Sequence, residues 1–193
     1  LAGATPASAV LPSVYDTNAG VGDENSVMTQ GASATIQLDL NDNWTITPQV
    51  MAQKQETEGS WAYDESVGEG KLAHNRPELS DDRWVQAALT VEGKVANLDL
   101  VYAGSYLTRD VDTESDYSDY SYWYDTLYGY GAYWTDDNNV PIDSSQYIQG
   151  KDGYKKTSHE LRIASPQDQR LRFVAGLFWM DQSHDIEQRY RVD

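Results

Sequence analysis

The sequence predicts an all-β protein built as an antiparallel meander of hairpins. Three observations predict this fold: six segments alternate between apolar and polar residues, tight turns join these segments in pairs, and long connections separate the pairs. The six predicted strands cover 33–40, 44–54, 83–91, 96–108, 157–164 and 171–183, and long loops are expected over 55–82 and 109–156.

The first hairpin alternates on both sides of a turn at 41–43, whose Asn and Asp residues favour tight turns. Pro48 has no backbone N–H to donate to a neighbouring strand, so a bulge or local break is expected there. The second hairpin is expected to turn at 92–94, where the sequence reads Glu-Gly-Lys. The third is expected to turn at 165–169 and to place its apolar residues from 171 to 179 on one face.

The composition favours wet boundaries over a conventional apolar core. Hydrophobic residues make up 39%, mean hydropathy is −0.66, and 14 Tyr and 6 Trp stand against 2 Phe. Aromatic rings with a polar tip are favoured at membrane interfaces and in loops that contact ligands. A Tyr-rich secreted β-sandwich would have the same composition, so this observation leaves both classes open.

Several classes are disfavoured by what the sequence lacks. The absence of cysteine excludes disulfides and thiolate metal sites, and a net charge of −17 argues against a nucleic-acid partner. No apolar run approaches the roughly 20 residues of a membrane-spanning helix, although strands of a barrel need far fewer. The chain begins without Met and without signal-peptide character, so we expect it to be a fragment or a processed segment.

The alternation of short turns and long loops favours a transmembrane barrel, in which short turns lie on one side of the membrane and long loops on the other. A soluble sandwich with two lid loops is the alternative. Strand charges mostly lie opposite the apolar face, as in Asp39, Arg162 and Arg172. A charge at the bilayer midplane costs about 2–4 kcal/mol, so a wall between lipid and a polar lumen requires this arrangement. The aromatic residues expected to form an interfacial girdle are Trp44, Trp84, Phe173 and Trp179.

The third hairpin carries a family resemblance. Residues 157–166 read TSHELRIASP and residues 170–179 read RLRFVAGLFW. They resemble a hairpin of TonB-dependent receptors, in which a strand reading ELRLASP leads through a short periplasmic turn into a strand reading RWVAGLFY. Residues 31–53 are also similar to that family's pattern of strand, DLNDN turn and strand.

This resemblance implies part of a barrel of about 22 strands in the cell outer membrane, with long extracellular loops and an N-terminal plug. Residues 1–193 would be a partial barrel domain, because nothing in them matches a plug or a TonB-contacting box. The implied function is uptake of a scarce nutrient such as a siderophore, vitamin or glycan, without enzymatic chemistry or a cofactor. The implied partners are the TonB complex through the plug, outer-membrane lipid and the small nutrient ligand.

The segment 116–134 is the strongest candidate for ligand contact, because tyrosine and tryptophan give a large contact area at low entropic cost. The alternative is that its rings pack on each other and keep a long loop folded. The candidate ligand-binding residues are Tyr117, Tyr120, Tyr122, Trp123, Tyr124, Tyr128, Tyr130, Tyr133 and Trp134.

Other chemistry is weakly indicated. Four carboxylates alternate over 110–116 and could converge on a hard cation, but a solvated run of repelling charges is the commoner explanation of such a pattern. The three histidines are scattered, and no catalytic motif is present, so no catalytic or metal residue is assigned. Two other functions remain open: a secreted β-sandwich that binds carbohydrate through the Tyr- and Trp-rich loop, and a glycoside hydrolase that uses two loop carboxylates.

Overall fold

The computed structural model describes residues 26–60, 65–66, 68, 76–118, 120, 137–138 and 146–192, and the backbone of 13–16 and 71–74. Nine strands lie within these residues. They are β1 (Ser13–Asp16), β2 (Val27–Thr35), β3 (Leu38–Asn41), β4 (Trp44–Glu58), β5 (Lys71–His74), β6 (Leu79–Val95), β7 (Leu98–Asp116), β8 (Gln146–Ala164) and β9 (Val174–Val192).

Seven of these strands form one antiparallel sheet. Its order is β2-β4-β6-β7-β8-β9, and β3 continues the line of β2 along the same side of β4. The predicted antiparallel meander is therefore confirmed. The remaining strands, β1 and β5, pair with each other in a separate two-stranded sheet. A β-sandwich needs a second large sheet packed on the first, and the described residues form only this one large sheet.

The strands are longer than the sequence pattern predicted. β4 extends to Glu58 and β6 begins at Leu79, so both enter the segment expected to be the loop 55–82. β7 and β8 likewise reach Asp116 and Gln146 within the expected loop 109–156. Alternation failed to reveal these extensions because both faces of the sheet are polar there.

The turn between β6 and β7 lies at Ala96 and Asn97, so the predicted turn at 92–94 was wrong. Gly93 pairs with Leu100 and Lys94 with Asp99 in the ladder instead. Ala96 takes the left-handed conformation, with φ of 58°, which costs an alanine about 1–2 kcal/mol. Asn97 is typical of such turns, but the positive φ falls on Ala96, where glycine or asparagine is usual.

The break expected at Pro48 lies in the strand opposite the proline, and the proline's own strand is unbroken. β4 is continuous, whereas its partner line is interrupted at 36–37 between β2 and β3. The Ile36 N–H donates to the Pro48 carbonyl at 3.1 Å, but the proline has no N–H to return the bond. The interruption falls where this second bond is missing.

Short turns lie at one end of the sheet and long connections at the other. We call these parts the turn half and the loop half. The β8–β9 turn is fixed by Ser165, which is 5% exposed. Its N–H donates to the Phe173 carbonyl at 3.0 Å, and its hydroxyl accepts from the Phe173 N–H at 2.8 Å.

Within the described part of the chain, no hydrophobic side chain is buried. Ile36, Leu38 and Leu177, which the sequence pattern assigned to the apolar faces of their strands, are 49–77% exposed. The sheet therefore has no sealed core of its own among these residues. None of the described residues belongs to a helix that is long and apolar enough to cross a membrane.

Candidate functional site

The ladder register fixes which side chains share a face of the sheet. Directly paired residues in antiparallel strands point to the same side, and alternate residues of each strand point to opposite sides. The first face carries Ile46, Leu89 and Tyr102, and the second carries Gln49, Gln86 and Ser105.

Along part of β6, exposure on the two faces is the reverse of that in a soluble sheet. Apolar Val85, Ala87 and Leu89 of the first face are exposed, whereas Gln86 and Ala88 of the second face are half-buried. Val85 is 45% exposed and Leu89 38%. On β4 the order differs, since Gln49 is exposed and Ile46 half-buried, and both faces of β9 are exposed.

The apolar residues of the first face form a band about nine residues tall. The band covers 44–52 of β4, 85–93 of β6 and 98–106 of β7. At the other edge it covers 171–179, which includes the first residues of β9 and the three residues before it. On β8 the same rows hold His159, Leu161 and Ile163.

The upper limit of this apolar band is inclined across the sheet. It lies at Ala52 on β4 and at Val85 on β6, and these residues are direct partners. On β7 it lies at Tyr106, two residues nearer the turns than Thr108, the partner of Val85. On β9 the limit lies at Trp179. This residue shares a row with His159 and Gly104, so it is two residues nearer the turns than Tyr106. The limit therefore falls by four residues from β4 to β9, about one residue per strand.

Aromatic rings cover the two glycines of the band. A Cβ added to Gly93 would lie 2.3–2.5 Å from ring atoms of Trp44, and one added to Gly104 would lie 2.5 Å from the Tyr102 hydroxyl. Trp44 thus lies at the turn-side limit of the band. Trp84 pairs with Gln53 on the second face, so it does not share a face with Trp44.

Two polar side chains within the band are paired with each other. The Tyr102 hydroxyl and His159 Nδ1 are 2.7 Å apart, and the His159 ring stacks on Trp179 with centroids 5.6 Å apart. These contacts lie on the apolar first face. They leave the phenol and one imidazole nitrogen paired without water, which an apolar environment requires.

Beyond the band, in the loop half, the first face becomes charged. A chain of ion pairs crosses four strands there, with Lys54–Asp81 at 3.2 Å, Arg83–Asp81 at 3.2 Å and Arg83–Asp112 at 3.0 Å. Hydrogen bonds to Glu56 and Asp81 raise the pKa of the Lys54 ammonium above its ordinary value. The members of this charged ladder are Glu56, Lys54, Asp81, Arg83, Asp112 and Lys151.

The second face carries several hydrogen-bonded polar pairs, together with apolar side chains such as Leu107, Phe178 and Met180. Arg109 donates to both oxygens of Asp82, at 2.8 and 2.6 Å. In the turn half, the hydroxyls of Ser105 and Ser158 are 2.8 Å apart. Arg162 pairs with Glu160 at 3.0 Å, which confirms its predicted placement opposite the apolar face.

Of the candidate ligand-binding residues, the structure describes Tyr117 and Tyr120. Their rings stack with centroids 5.0 Å apart. Tyr190 of β9 meets Tyr117 edge-on at 5.8 Å and is 64% exposed, and sequence reasoning missed it because the last strand was expected to end at residue 183. The other candidates lie outside the described residues: Tyr122, Trp123, Tyr124, Tyr128, Tyr130, Tyr133 and Trp134.

Hydrogen bonds join the bases of two long connections. Asp116 Oδ1 accepts from the N–H and hydroxyl of Ser118, at 2.9 and 2.6 Å, and its other oxygen accepts from the Arg76 N–H at 3.2 Å. The Arg76 guanidinium lies 3.7 Å from the centroid of the Tyr147 ring. The connection that follows β7 is thereby held against the one that precedes β6.

Three of the four carboxylates of 110–116 have separate partners and are not gathered at one site. Asp112 pairs with Arg83, and Glu114 accepts from the Gln149 amide at 3.1 Å. Asp116 accepts the bonds from Ser118 and Arg76 given above. Among the described residues, no three acidic, histidine or cysteine side chains are placed to hold a metal ion together.

No protein-family model and no curated protein matches the chain. The functional argument therefore rests on the geometry of the two faces.

Proposed function

We propose that this chain forms part of the wall of an outer-membrane β-barrel, and that the barrel is a TonB-dependent receptor that takes up a scarce nutrient. The observation that carries the proposal is the exposed, inclined apolar band of the first face. A sheet whose apolar band is exposed and whose other face carries paired polar side chains suits lipid outside and water within.

The height of the band supports this reading. A strand that crosses a bilayer at a tilt needs about 9–11 residues. The band takes up 44–52 on β4 and 85–93 on β6, which meets that requirement. The strands themselves are longer, up to 19 residues, so the loop half would project beyond the membrane.

The inclination of the band supports the same reading independently. A fall of one residue per strand is about 3.3 Å along the strand for every 4.8 Å across the sheet. The corresponding strand tilt is about 35°, and transmembrane barrels have strands tilted by about 35–45°. A soluble sheet has no reason to align its apolar rows along such a line.

The assignment to nutrient uptake depends on the resemblance of residues 157–179 to TonB-dependent receptors, and on the aromatic loop. Extracellular loops rich in tyrosine suit capture of a ring-shaped or glycan ligand. The polar second face would line the lumen, and the plug would occupy it. Bond chemistry has no part in this function.

Adjacent alanines on β6 allow a matched test of the membrane assignment. Ala87 and Ala88 point to opposite faces, and the chain has no cysteine, so Ala87→Cys and Ala88→Cys each introduce a unique thiol. A fluorescent label on each variant of the full chain is then exposed to nitroxide-bearing lipid in vesicles. We expect strong quenching at position 87 and weak quenching at 88. Equal quenching, or a monodisperse protein that needs no detergent, would contradict the membrane assignment.

Uptake is tested in cells that produce the protein. A panel of ferric siderophores, haem, cobalamin and oligosaccharides is offered with and without a protonophore. We expect one class to accumulate, and only in energised cells. Accumulation that persists with the protonophore, or no difference from cells without the protein, would exclude energised uptake of this panel by the barrel.

A further inference from the structure

Part of the second face is rich in glutamine. Five consecutive rows across β4, β6, β7, β8 and β9, from the row of Thr57 to the row of Gln49, carry six glutamines and four charged residues. We call them the glutamine rows. Over the same height, the first face carries one glutamine and fourteen charged residues on these strands. The six glutamines of the second face are Gln49, Gln53, Gln55, Gln86, Gln182 and Gln188.

The charges of the glutamine rows cancel. They are Asp82, Arg109, Asp152 and Lys156. Arg109 donates to both oxygens of Asp82, and an oxygen of Asp152 lies 3.8 Å from His184 Nε2. A ligand with a large net charge needs an excess of the opposite charge at its site, which these rows do not supply. Neutral groups must therefore make most of the polar contacts to a ligand here.

Amides and hydroxyls match the hydroxyls of a sugar. An amide side chain carries N–H donors and a carbonyl acceptor, and a hydroxyl both donates and accepts. A sugar hydroxyl does both as well, so either group can satisfy it. The glutamine rows also carry small hydroxyl residues, which are Thr57, Ser80, Ser105, Thr113 and Ser158. They therefore offer closely spaced neutral donors and acceptors.

The middle one of these rows carries planar side chains on three adjacent strands. Trp84 pairs with Arg109, and Arg109 pairs with Tyr154. Neighbouring strands are about 4.8 Å apart, so the two aromatic residues lie about 10 Å apart, a distance comparable with the length of a disaccharide. Aromatic rings combine a large apolar face with, in these two residues, a polar tip. The row thus supplies two platforms on which sugar rings can pack.

The platform at Tyr154 is held in place before a ligand arrives. Its hydroxyl donates to Gln182 Oε1 at 2.9 Å, and the His184 ring meets it edge-on with centroids 5.9 Å apart. Both Trp84 and Tyr154 are half-buried. A side chain that is already ordered loses less entropy on binding.

We propose that the glutamine rows bind a neutral oligosaccharide, with Trp84 and Tyr154 packed against its sugar rings. This inference rests on the proposed function, in which the second face lines the lumen, and it selects one substrate class among those left open there. The row of Trp84 lies between the turn half and the aromatic residues Tyr117 and Tyr120 at the loop end. It is therefore on the path of a ligand that enters from the loop side.

Isothermal titration calorimetry on the full chain tests the substrate class. The detergent is a polyoxyethylene ether, because a glycoside detergent presents sugars of its own. The neutral probes are malto-, cello- and xylo-oligosaccharides, and oligogalacturonate of the same length is the charged probe. We expect one neutral series to bind, with the disaccharide bound more tightly than its monosaccharide because its second ring reaches the second platform. Oligogalacturonate should bind at least about tenfold more weakly, because its carboxylates lose water without gaining an unpaired cation.

Two tryptophans on opposite faces supply the matched variants. Trp84 lies on the second face and Trp179 on the first. We expect Trp84→Leu to weaken binding of the neutral series by about fivefold to tenfold, and Trp84→Phe to regain most of that loss because it keeps an aromatic face. Trp179→Leu should bind as the parent does. Tyr154→Leu should reduce the advantage of the disaccharide over the monosaccharide.

The outcomes separate this inference from the membrane proposal. Equal loss for Trp84→Leu and Trp179→Leu, a preference for oligogalacturonate, or no binding of any neutral series would overturn the sugar site. If the label at position 87 is quenched by lipid in that case, the barrel wall stands and only the substrate class fails. An unquenched label at position 87 overturns the membrane proposal and this inference with it.

Discussion

The turn half and the loop half of the first face are continuous in backbone and different in chemistry. In the turn half, the face carries the apolar band, in which the polar groups of Tyr102 and His159 are paired with each other. In the loop half, the same face carries the ladder of ion pairs that begins at Lys54. One sheet with one register therefore presents two surfaces. Hydrogen bonding builds the sheet, whereas side chains decide which solvent each half suits.

The largest expected effect comes from placing one charge in each half. Leu89 lies at the centre of the band, and Leu79 lies on the same face and strand in the loop half. We expect Leu89→Arg to lower the free energy of unfolding in lipid vesicles by about 2–4 kcal/mol, because a guanidinium then lies near the bilayer midplane. Leu79→Arg should change it by less than about 0.5 kcal/mol. Urea titration measures both, and similar losses would mean that the halves do not differ in solvent.

A second comparison uses glycines. Gly93 lies under the Trp44 ring, so Gly93→Ala forces a Cβ to within 2.3–2.5 Å of ring atoms. We expect a loss of about 1–3 kcal/mol in the free energy of unfolding, because the ring must move off the strand. Gly153 of the loop half has no atom nearer than 4.0 Å to its built Cβ, so Gly153→Ala should be close to neutral. A neutral Gly93→Ala would show that the ring does not rest on this glycine.

A third comparison concerns ion pairs on the second face. Asp82 accepts two bonds from Arg109, and this contact raises the pKa of the arginine above its ordinary value. Asp82→Asn should lower the free energy of unfolding by about 0.5–1 kcal/mol at low salt, and the difference should shrink in 1 M salt, where screening extends to about 3 Å. Asp99→Asn, which removes a single contact to Lys94 in the turn half, serves as the control and should have a smaller effect. A salt-independent loss would point to packing.

The smallest expected effect lies in the turn between β6 and β7. Ala96 has φ of 58°, where an alanine is strained and a glycine is not. Ala96→Gly relieves the strain but adds backbone entropy to the unfolded chain, so we expect a net gain of a few tenths of a kcal/mol. Ala103→Gly in mid-strand should instead destabilise by about 0.5–1 kcal/mol. Thermal unfolding in detergent measures both.

Much of the sheet could be predicted because alternation is a local property of the chain. Period-two patterns revealed all six lines of the meander, and Asn and Asp residues revealed the turn at 42–43. The turn at Ala96 could not be predicted, because its conformation is imposed by the ladder on both sides. The strand ends near Glu58 and Asp116 were missed because no apolar face marks them.

The candidate site, like the sheet, could be predicted from the sequence only in part. The tyrosine-rich loop was evident from composition, whereas the contact between Tyr117 and Tyr190 joins residues far apart in sequence and depends on register. The ladder through Arg83 and Asp112 was likewise invisible, because its members lie on different strands. Sequence reasoning could name the charges but could not assign their partners.

By itself, the sequence determined that the chain alternates, that short and long connections follow each other, and that one face is apolar over a limited length. Only the tertiary structure decided that the apolar face is exposed, that its upper limit is inclined, and that charges such as Lys54 are paired beyond that limit. The physical reason is that alternation fixes the side of a strand to which each residue points. Register and curvature then determine which neighbours it meets and which solvent it contacts.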